Sequence, residues 1–352
     1  MAASRGRLSV AVGLVGLPNV GKSSLFNYLC KEQLSYVANY PFATIEPTQA
    51  MVMVPDRRLE GFAQKSNSKR IIHDYVQVHD IAGLVKGAST GAGLGNAFLS
   101  HIRAVDAIVH VCREFEDPDV IHVHEGKRNP IKDIEVVELE LILADLDSVE
   151  RRLVTVGKKP GMEKEKEALN EVRKVLLEGQ RPSLERFGVD LKHMNLLSLK
   201  PVLYALITDD VGGNERTRAL QAQLGGPDKC LPISSKLEND LANETDEEMK
   251  LEMAKEFGLE DPEQSSIYRL SQAISKLLQR RVFYTVGPQE ARSWAMAPNE
   301  TAVEAASRIH NDIAKGFINC DISRDVDDGP VKTEGKEYKM QDGDIVFFRH
   351  RG

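Results

Sequence analysis

Only four cysteines stand in the 352 residues, at Cys30, Cys112, Cys230 and Cys320. They lie far apart and form no Cys-x-x-Cys pair, which argues against a zinc site and a disulfide framework and fits a reducing, cytoplasmic setting. Nowhere do about 18 apolar residues run together, so no membrane span is predicted. The apolar stretch from Leu8 to Leu17, behind Arg5 and Arg7, imitates a short signal peptide, but it leads straight into a glycine-rich loop that cleavage would destroy. A net charge of −7 leaves no global basic footprint, so any nucleic-acid contact has to use a local patch. The acids concentrate between Glu238 and Glu263, where only Lys250 and Lys255 oppose them, and that stretch reads as a solvated helical face. With 41% hydrophobic and 28% charged residues, the composition is that of a globular chain with room for roughly two or three domains.

What the chain does contain is Gly16-Leu17-Pro18-Asn19-Val20-Gly21-Lys22-Ser23, the phosphate-loop spacing of a glycine, four residues, then Gly-Lys-Ser. Leu8 to Val15 reads as a buried strand before it, and Ser24 to Leu29 has a helical apolar pattern after it. The strand-loop-helix setting is the one this chemistry requires. Glycines let backbone N–H groups approach phosphate oxygens, and the helix presents its positive end. Gly16, Pro18, Asn19, Val20, Gly21, Lys22, Ser23 and Ser24 are therefore the candidate phosphate-binding residues. Lys22 reaches the β/γ-phosphates, and the Ser23 hydroxyl reaches Mg2+.

Asn39 to Pro47 carries two prolines and reads as a connecting segment. At this distance Thr44 is the candidate switch residue, sensing magnesium and the γ-phosphate. Ile72, Asp74, Val76, Val78 and Asp80 alternate along one strand that ends at Asp80-Ile81-Ala82-Gly83. Asp80, at a strand's C-terminal end, is placed to hold the magnesium shell beside Ser23, with Gly83 offering its N–H to the γ-phosphate. Leu84 follows where many GTPases have a water-orienting glutamine. Lys86 to Asn96 holds four glycines and reads as a mobile loop, too flexible for helix, with helix resuming over 97–105 and a buried strand over 107–111.

The phosphate loop, Tyr40-Pro41-Phe42-Ala43-Thr44-Ile45-Glu46-Pro47, the run from Asp80 to Ala88, and the run from Gly93 to Arg103 together resemble the YchF / Obg-like ATPase family. The similarity is dense over the first 150 residues and returns at the C-terminus. It implies a translation-factor-class P-loop ATPase without the usual catalytic glutamine, with the ribosome as partner. Two residues could supply the missing catalytic power. Asn19 stands where related GTPases hold a potassium ion against the phosphates. His122 aligns with a histidine that positions water in this family, with His124 as local competitor.

From Pro130 the pattern becomes helical. Leu139, Ile142, Leu146, Val149, Leu153 and Val156 recur at spacings of three and four, Gly157 to Gly161 breaks the run, and Leu169, Val172 and Leu176 resume it. This predicts an antiparallel helical hairpin inserted into the nucleotide domain, either a packing element or a docking arm. The next buried strand, over 200–206, ends in Ile207-Thr208-Asp209-Asp210, where GTPases carry Asn-Lys-x-Asp and the Obg-like ATPases Asn-x-x-Glu. Ile207 is by position a candidate nucleotide-binding residue with Asp210, although its side chain cannot hydrogen-bond a base. Asp210 could accept from guanine, or from adenine's amino group at the cost of facing its unprotonated N1. A short strand over 230–233 then leads to Ser234 and Ser235, which resemble the GTPase loop covering the base.

Strands over 282–286 and 291–296, a helix over 301–315 and a last strand over 345–348 resemble a TGS domain, whose stretch between Cys320 and Lys336 is shorter than in the relatives it resembles. Lys332, Lys336, Lys339, Arg349, His350 and Arg351 form its candidate RNA-facing patch.

The sequence thus predicts an α/β P-loop NTPase fold of the Ras-like type, with residues 8–130 and 198–281 as nucleotide domain, 131–197 as hairpin and 282–352 as β-grasp (TGS) domain. The expected protein is a cytoplasmic monomer that binds and slowly hydrolyses ATP with Mg2+. The alternatives are a GTPase using Asp210, a non-hydrolysing nucleotide-gated module, and a small-molecule kinase, which the glycine-rich stretch after Asp80 disfavours.

Overall fold

A computed structural model describes residues 10–37, 48–81, 93–116, 129–184, 190–209, 214–244, 246–256, 259, 265–326 and 331–351. Its contacts divide the chain into two units, one of residues 11–50 and 77–269, the other of 1–10, 51–76 and 270–352. The division passes through two strands, β2 (Gln49–Val54) and β4 (Asp74–Asp80).

The first sheet has the order β2-β4-β1-β5-β6-β7. Its centre is β1 (Ala11–Val15), parallel to β4 on one side and to β5 (Ala107–Arg113) on the other. Parallel β6 (Val202–Thr208) and β7 (Cys230–Ser234) follow. Every residue of β1, β5 and β7 is buried, the continuous apolar pattern of parallel strands covered on both faces. β1 leads through the glycine loop into α1 (Lys22–Val37).

α3 runs over Gly93–Ala104 and so starts four residues before the expected 97, inside the stretch read as too flexible for helix. Glycines in a first turn cost only about 1 kcal/mol each, which the buried Phe98, Leu99 and Ile102 offset. α4 (Pro130–Val156) is capped by the Asn129 side chain, with Pro130 in the first turn where its missing N–H costs nothing. It packs on α5 (Glu163–Leu177) through Ile142, Val149, Val156, Leu169, Val172 and Leu176, with Leu146 and Leu153 at the margin. This is the predicted hairpin seam except at one place: Leu139 lies half exposed, outside it. Past the hairpin, Asp145 on α4 accepts the N–H groups of Leu197 and Ser198 at 2.7 and 2.8 Å, fixing the return to β6. Burial raises the Asp145 carboxyl against those donors.

The second sheet has the order β11-β10-β12-β8-β9-β3. β8 (Arg281–Val286) and β9 (Ala291–Met296) form the expected hairpin, β12 (Ile345–His350) lies parallel to β8, and β10 (Phe317–Ser323) joins β12 to β11 (Lys332–Glu334). One face packs Phe283, Met296, Cys320, Ile322, Val346 and Phe348 against α10 (Ala302–Ile309), the β-grasp arrangement. The single helix expected over 301–315 is two, because His310 is extended and its ring caps α11 (Asn311–Lys315).

The expected strand from Ile72 to Asp80 also divides. His73 ends β3 (Ile71–Ile72), which pairs with β9 in the second sheet, while β4 continues in the first. Between β2 and β3 lies α2 (Arg57–Lys65), whose Leu59 and Ala63 pack on Tyr284 and Ala291. Its N-cap Asp56 also accepts the Tyr284 hydroxyl. Arg280 donates to the Asp74 carboxylate and to the Tyr75 carbonyl, the latter at 2.9 Å, and Ser68 Oγ donates to the Gly287 carbonyl at 2.8 Å. A segment far upstream in sequence thus completes the C-terminal sheet.

Candidate functional site

β1 delivers the chain to Gly16, and the loop from 16 to 21 is pressed tightly onto the strand ends. A Cβ on Gly16 would lie 2.6 Å from the Val111 carbonyl oxygen, a backbone clash that no side chain avoids. Gly21 has φ +94, and Asn19 adopts φ +64, a left-handed conformation that asparagine tolerates better than most residues. Gly21 O accepts the Leu25 N–H at 2.9 Å, so α1 begins at once. Its first N–H groups, at Lys22, Ser23 and Ser24, have no acceptor within the helix and face the loop, as an anion site requires. Pro18, Asn19, Ser23 and Ser24 are exposed, while Val20 is buried and anchors the loop.

Lys22 is 9% exposed, and its ammonium is paired with the Asp80 carboxylate at the end of β4. In sequence these two residues have separate expected tasks, Lys22 for phosphate and Asp80 for the magnesium shell, and the structure pairs them directly. Each supplies the charge that would otherwise stand uncompensated in a partly buried pocket. Cys30, one turn further along α1 than Phe26, has its thiol raised by burial and then by Asp80. It is therefore a poor nucleophile.

The donor set fits a magnesium ion held mainly by phosphate and water. Ser23 and Asp80 are hard oxygen donors, and no group of three or more His, Cys, Asp or Glu among the described residues could hold a metal unaided.

At the end of β6, the candidate base side, Ile207 is 3% exposed and points under the loop: a Cβ on Gly21 would be 3.2 Å from Ile207 Cγ1. Asp209 accepts the Glu116 N–H at 3.3 Å, tying the end of β6 to the turn after β5. Ser234 is buried and caps α7 (Ser235–Asn243), its Oγ accepting the Leu237 N–H at 3.4 Å. The Ser235 carbonyl accepts the Tyr28 hydroxyl at 3.3 Å, which links the candidate base loop to α1. Thr44, Gly83, His122 and Asp210 lie outside the described residues.

Sequence reasoning missed two buried charges at the end of β5. The Arg113 guanidinium sits 4.4 Å from the Phe115 ring centroid and donates to the Phe115 carbonyl at 3.2 Å. Glu114 is paired with Arg216 of α6 (Glu215–Gln223) at 2.8 Å. The signal was present: two charges, Arg113 and Glu114, closing a buried strand at the end where α/β sheets build their sites.

Fold and loop define a P-loop nucleotide-binding protein of the GTPase class. A family model described as a 50S ribosome-binding GTPase matches residues 11–144, and one for the C-terminal domain of YchF GTPases, described as of unknown function, matches 281–351. The chain is 38% identical to the ribosome-binding ATPase YchF of Bacillus subtilis, over 97% of this chain and 99% of that protein. It is 40% identical to the Haemophilus ducreyi protein of the same name, over 96% and 98%. A solved structure of the Schizosaccharomyces pombe YchF GTPase superposes with a TM-score of 0.83 at 32% identity, covering 98% of this chain and 99% of that one. The chain belongs to the YchF family.

Proposed function

We propose that this protein is an ATP-binding, slowly hydrolysing switch that acts on the ribosome. The observation that carries the reading is the Lys22–Asp80 pair beside a loop whose Gly16 admits no side chain. Phosphate draws Lys22 from Asp80, and Asp80 is then free for the metal shell. The relatives' name, ribosome-binding ATPase, supports both the nucleotide and the partner.

In this reading Gly16, Pro18, Asn19, Val20, Gly21, Lys22, Ser23 and Ser24 cradle the phosphates. Ser23, Asp80 and Thr44 hold Mg2+, which when bound neutralises charge developing on the phosphoryl oxygens. Gly83 donates its N–H to the γ-phosphate, and His122 orients water in place of the glutamine absent at Leu84. Asn19 holds a potassium ion. Asp210, Ser234 and Ser235 surround the base. Residues 131–197 serve as docking arm, 282–352 as a TGS domain with an RNA-facing patch, and the protein works as a cytoplasmic monomer.

A GTPase reading stands second, favoured by Asp210 chemistry and by the name of the fission-yeast relative, YchF GTPase. Titration of ATP and GTP under magnesium and potassium, with phosphate release followed for wild type and Asp210→Ala, separates the two. ATP binding at least about tenfold tighter, roughly 1.4 kcal/mol, with hydrolysis, supports the proposal. A GTP preference that Asp210→Ala removes would overturn it. Binding without phosphate release would leave a nucleotide-gated module.

A further inference from the structure

Ile207 stands where relatives of this fold place a base-reading asparagine, yet its side chain does not face outward. It is 3% exposed, and both its branches approach the loop: a Cβ on Gly21 would meet Ile207 Cγ1 at 3.2 Å and Cγ2 at 3.3 Å. Its own position is fixed from both sides. In register it faces Arg113 on β5 and Ile233 on β7, and its carbonyl accepts the Glu114 N–H at 2.8 Å. A β-branched side chain on a strand is stiff at χ1, so it presents a fixed apolar stop. At the other end of the loop, Gly16 rests on the Val111 carbonyl of β5. The loop is therefore seated on two adjacent strand ends, and the β5–β6 spacing sets the separation of its two glycines.

We infer that Ile207 is a positioning residue for phosphate binding, acting through Gly21 and blind to the base. Gly21 precedes Lys22, so the height of Gly21 above the sheet sets where the Lys22 ammonium and the first N–H groups of α1 stand. Removing methyl groups from Ile207 gives Gly21 room to sink, and a void with no partner atoms on one side forfeits the contacts that held it. The loss falls on the phosphate cradle and is the same for every ligand that shares the phosphates. This inference rests on the proposed nucleotide site but makes a claim the site does not require.

The test is calorimetric titration of the full-length wild type, Ile207→Val, Ile207→Leu and Ile207→Ala with magnesium ATP, magnesium GTP and magnesium pyrophosphate, with melting curves to establish folding. Ile207→Ala is expected to weaken all three ligands by one common factor of about five to ten. Ile207→Val keeps Cβ, Cγ1 and Cγ2, the atoms that meet Gly21, and should leave all three within about twofold of wild type, and in every variant the ATP-to-GTP ratio should stay within about twofold of wild type. If Ile207→Ala does not fold, Ile207→Leu, which loses the Cγ2 branch, carries the same comparison. A change confined to one nucleotide with pyrophosphate unaltered makes Ile207 a base contact and overturns the inference, as does unaltered binding of all three by Ile207→Ala or, in its place, Ile207→Leu. Wild type that binds none of the three ligands removes the nucleotide reading itself, an outcome distinct from either.

Discussion

The nucleotide unit builds its phosphate loop from neighbours in sequence, whereas the C-terminal unit is held by residues that the chain brings from far away. Gly16 to Ser23 is one turn of loop and the start of one helix. Tyr284, by contrast, is bonded to Asp56 across 228 residues, and Arg280 to Asp74 across 206. The contiguous element can be exact about phosphate because few dihedrals separate its donors. The dispersed one draws on α2, β3 and Asp74, so the C-terminal sheet depends on a segment embedded in the nucleotide half of the sequence. Separate families of substitutions should therefore damage phosphate binding and the C-terminal packing.

The largest separation is expected from Arg280→Met. Arg280 is nearly buried and Asp74 mostly so. Burial raises the Asp74 carboxyl despite Arg280 and lowers Arg280 despite Asp74, so desolvation outweighs pairing on both sides. Removing one partner strands the other, at about 3 kcal/mol, read as a loss in denaturant unfolding. The double variant with Asp74→Asn should recover most of it. ATP affinity that fell along with stability would break the contrast.

Gly16→Ala should do the reverse. With a Cβ 2.6 Å from the Val111 carbonyl, the loop must lift, and nucleotide affinity should fall about a hundredfold, roughly 2.7 kcal/mol, in titration.

Acid acts on both units through neutral histidines. His110, on β5, is pushed down to about 3 by burial and then by Arg181. Its folded pKa lies below the unfolded value, so its contribution is complete above pH 6.5 and lost as pH falls from there towards about 3, at roughly 1.4 kcal/mol per pH unit. In the C-terminal unit burial lowers His73, opposed by Asp56, and its Nδ1 accepts the Asp56 N–H at 3.3 Å. This adds a smaller slope of the same sign. Unfolding at pH 5 and 7 measures the total, and His110→Gln should flatten it most.

The smallest effect is expected at Thr301, which forms a capping box with Glu304 at the start of α10. Thr301→Ala should cost about 1 kcal/mol. The Thr301 backbone and hydroxyl donors hold the Glu304 carboxyl below its ordinary value, so the cap's charged part should fade as pH falls through the folded pKa. Melting curves at neutral and acidic pH check both.

The same contrast explains what the sequence disclosed. The loop, the buried parallel strands and the hairpin seam were legible because each is a local pattern: glycine spacing, apolar runs, threes and fours. The division of the 72–80 strand at His73 was not, since Ile71 and Ile72 pair with a strand more than 200 residues away, and no local periodicity records a partner. Leu139 fitted the helical period yet faces outward, because period defines a stripe but not its width. At the candidate site, the sequence singled out Lys22 and Asp80 separately, one as a phosphate candidate and one as a magnesium candidate. Their mutual pairing, and the inward turn of Ile207 beneath Gly21, follow from strand ends meeting in space.

The most direct measurement is the affinity for magnesium ATP of wild type and Lys22→Ala, with melting curves on the same samples. Without Lys22, the Asp80 carboxylate stands unneutralised against the phosphates. The expected result is tight binding by wild type and a loss of at least about a hundredfold in the variant, with folding retained. Equal affinity in the two folded proteins would contradict a phosphate site at this loop.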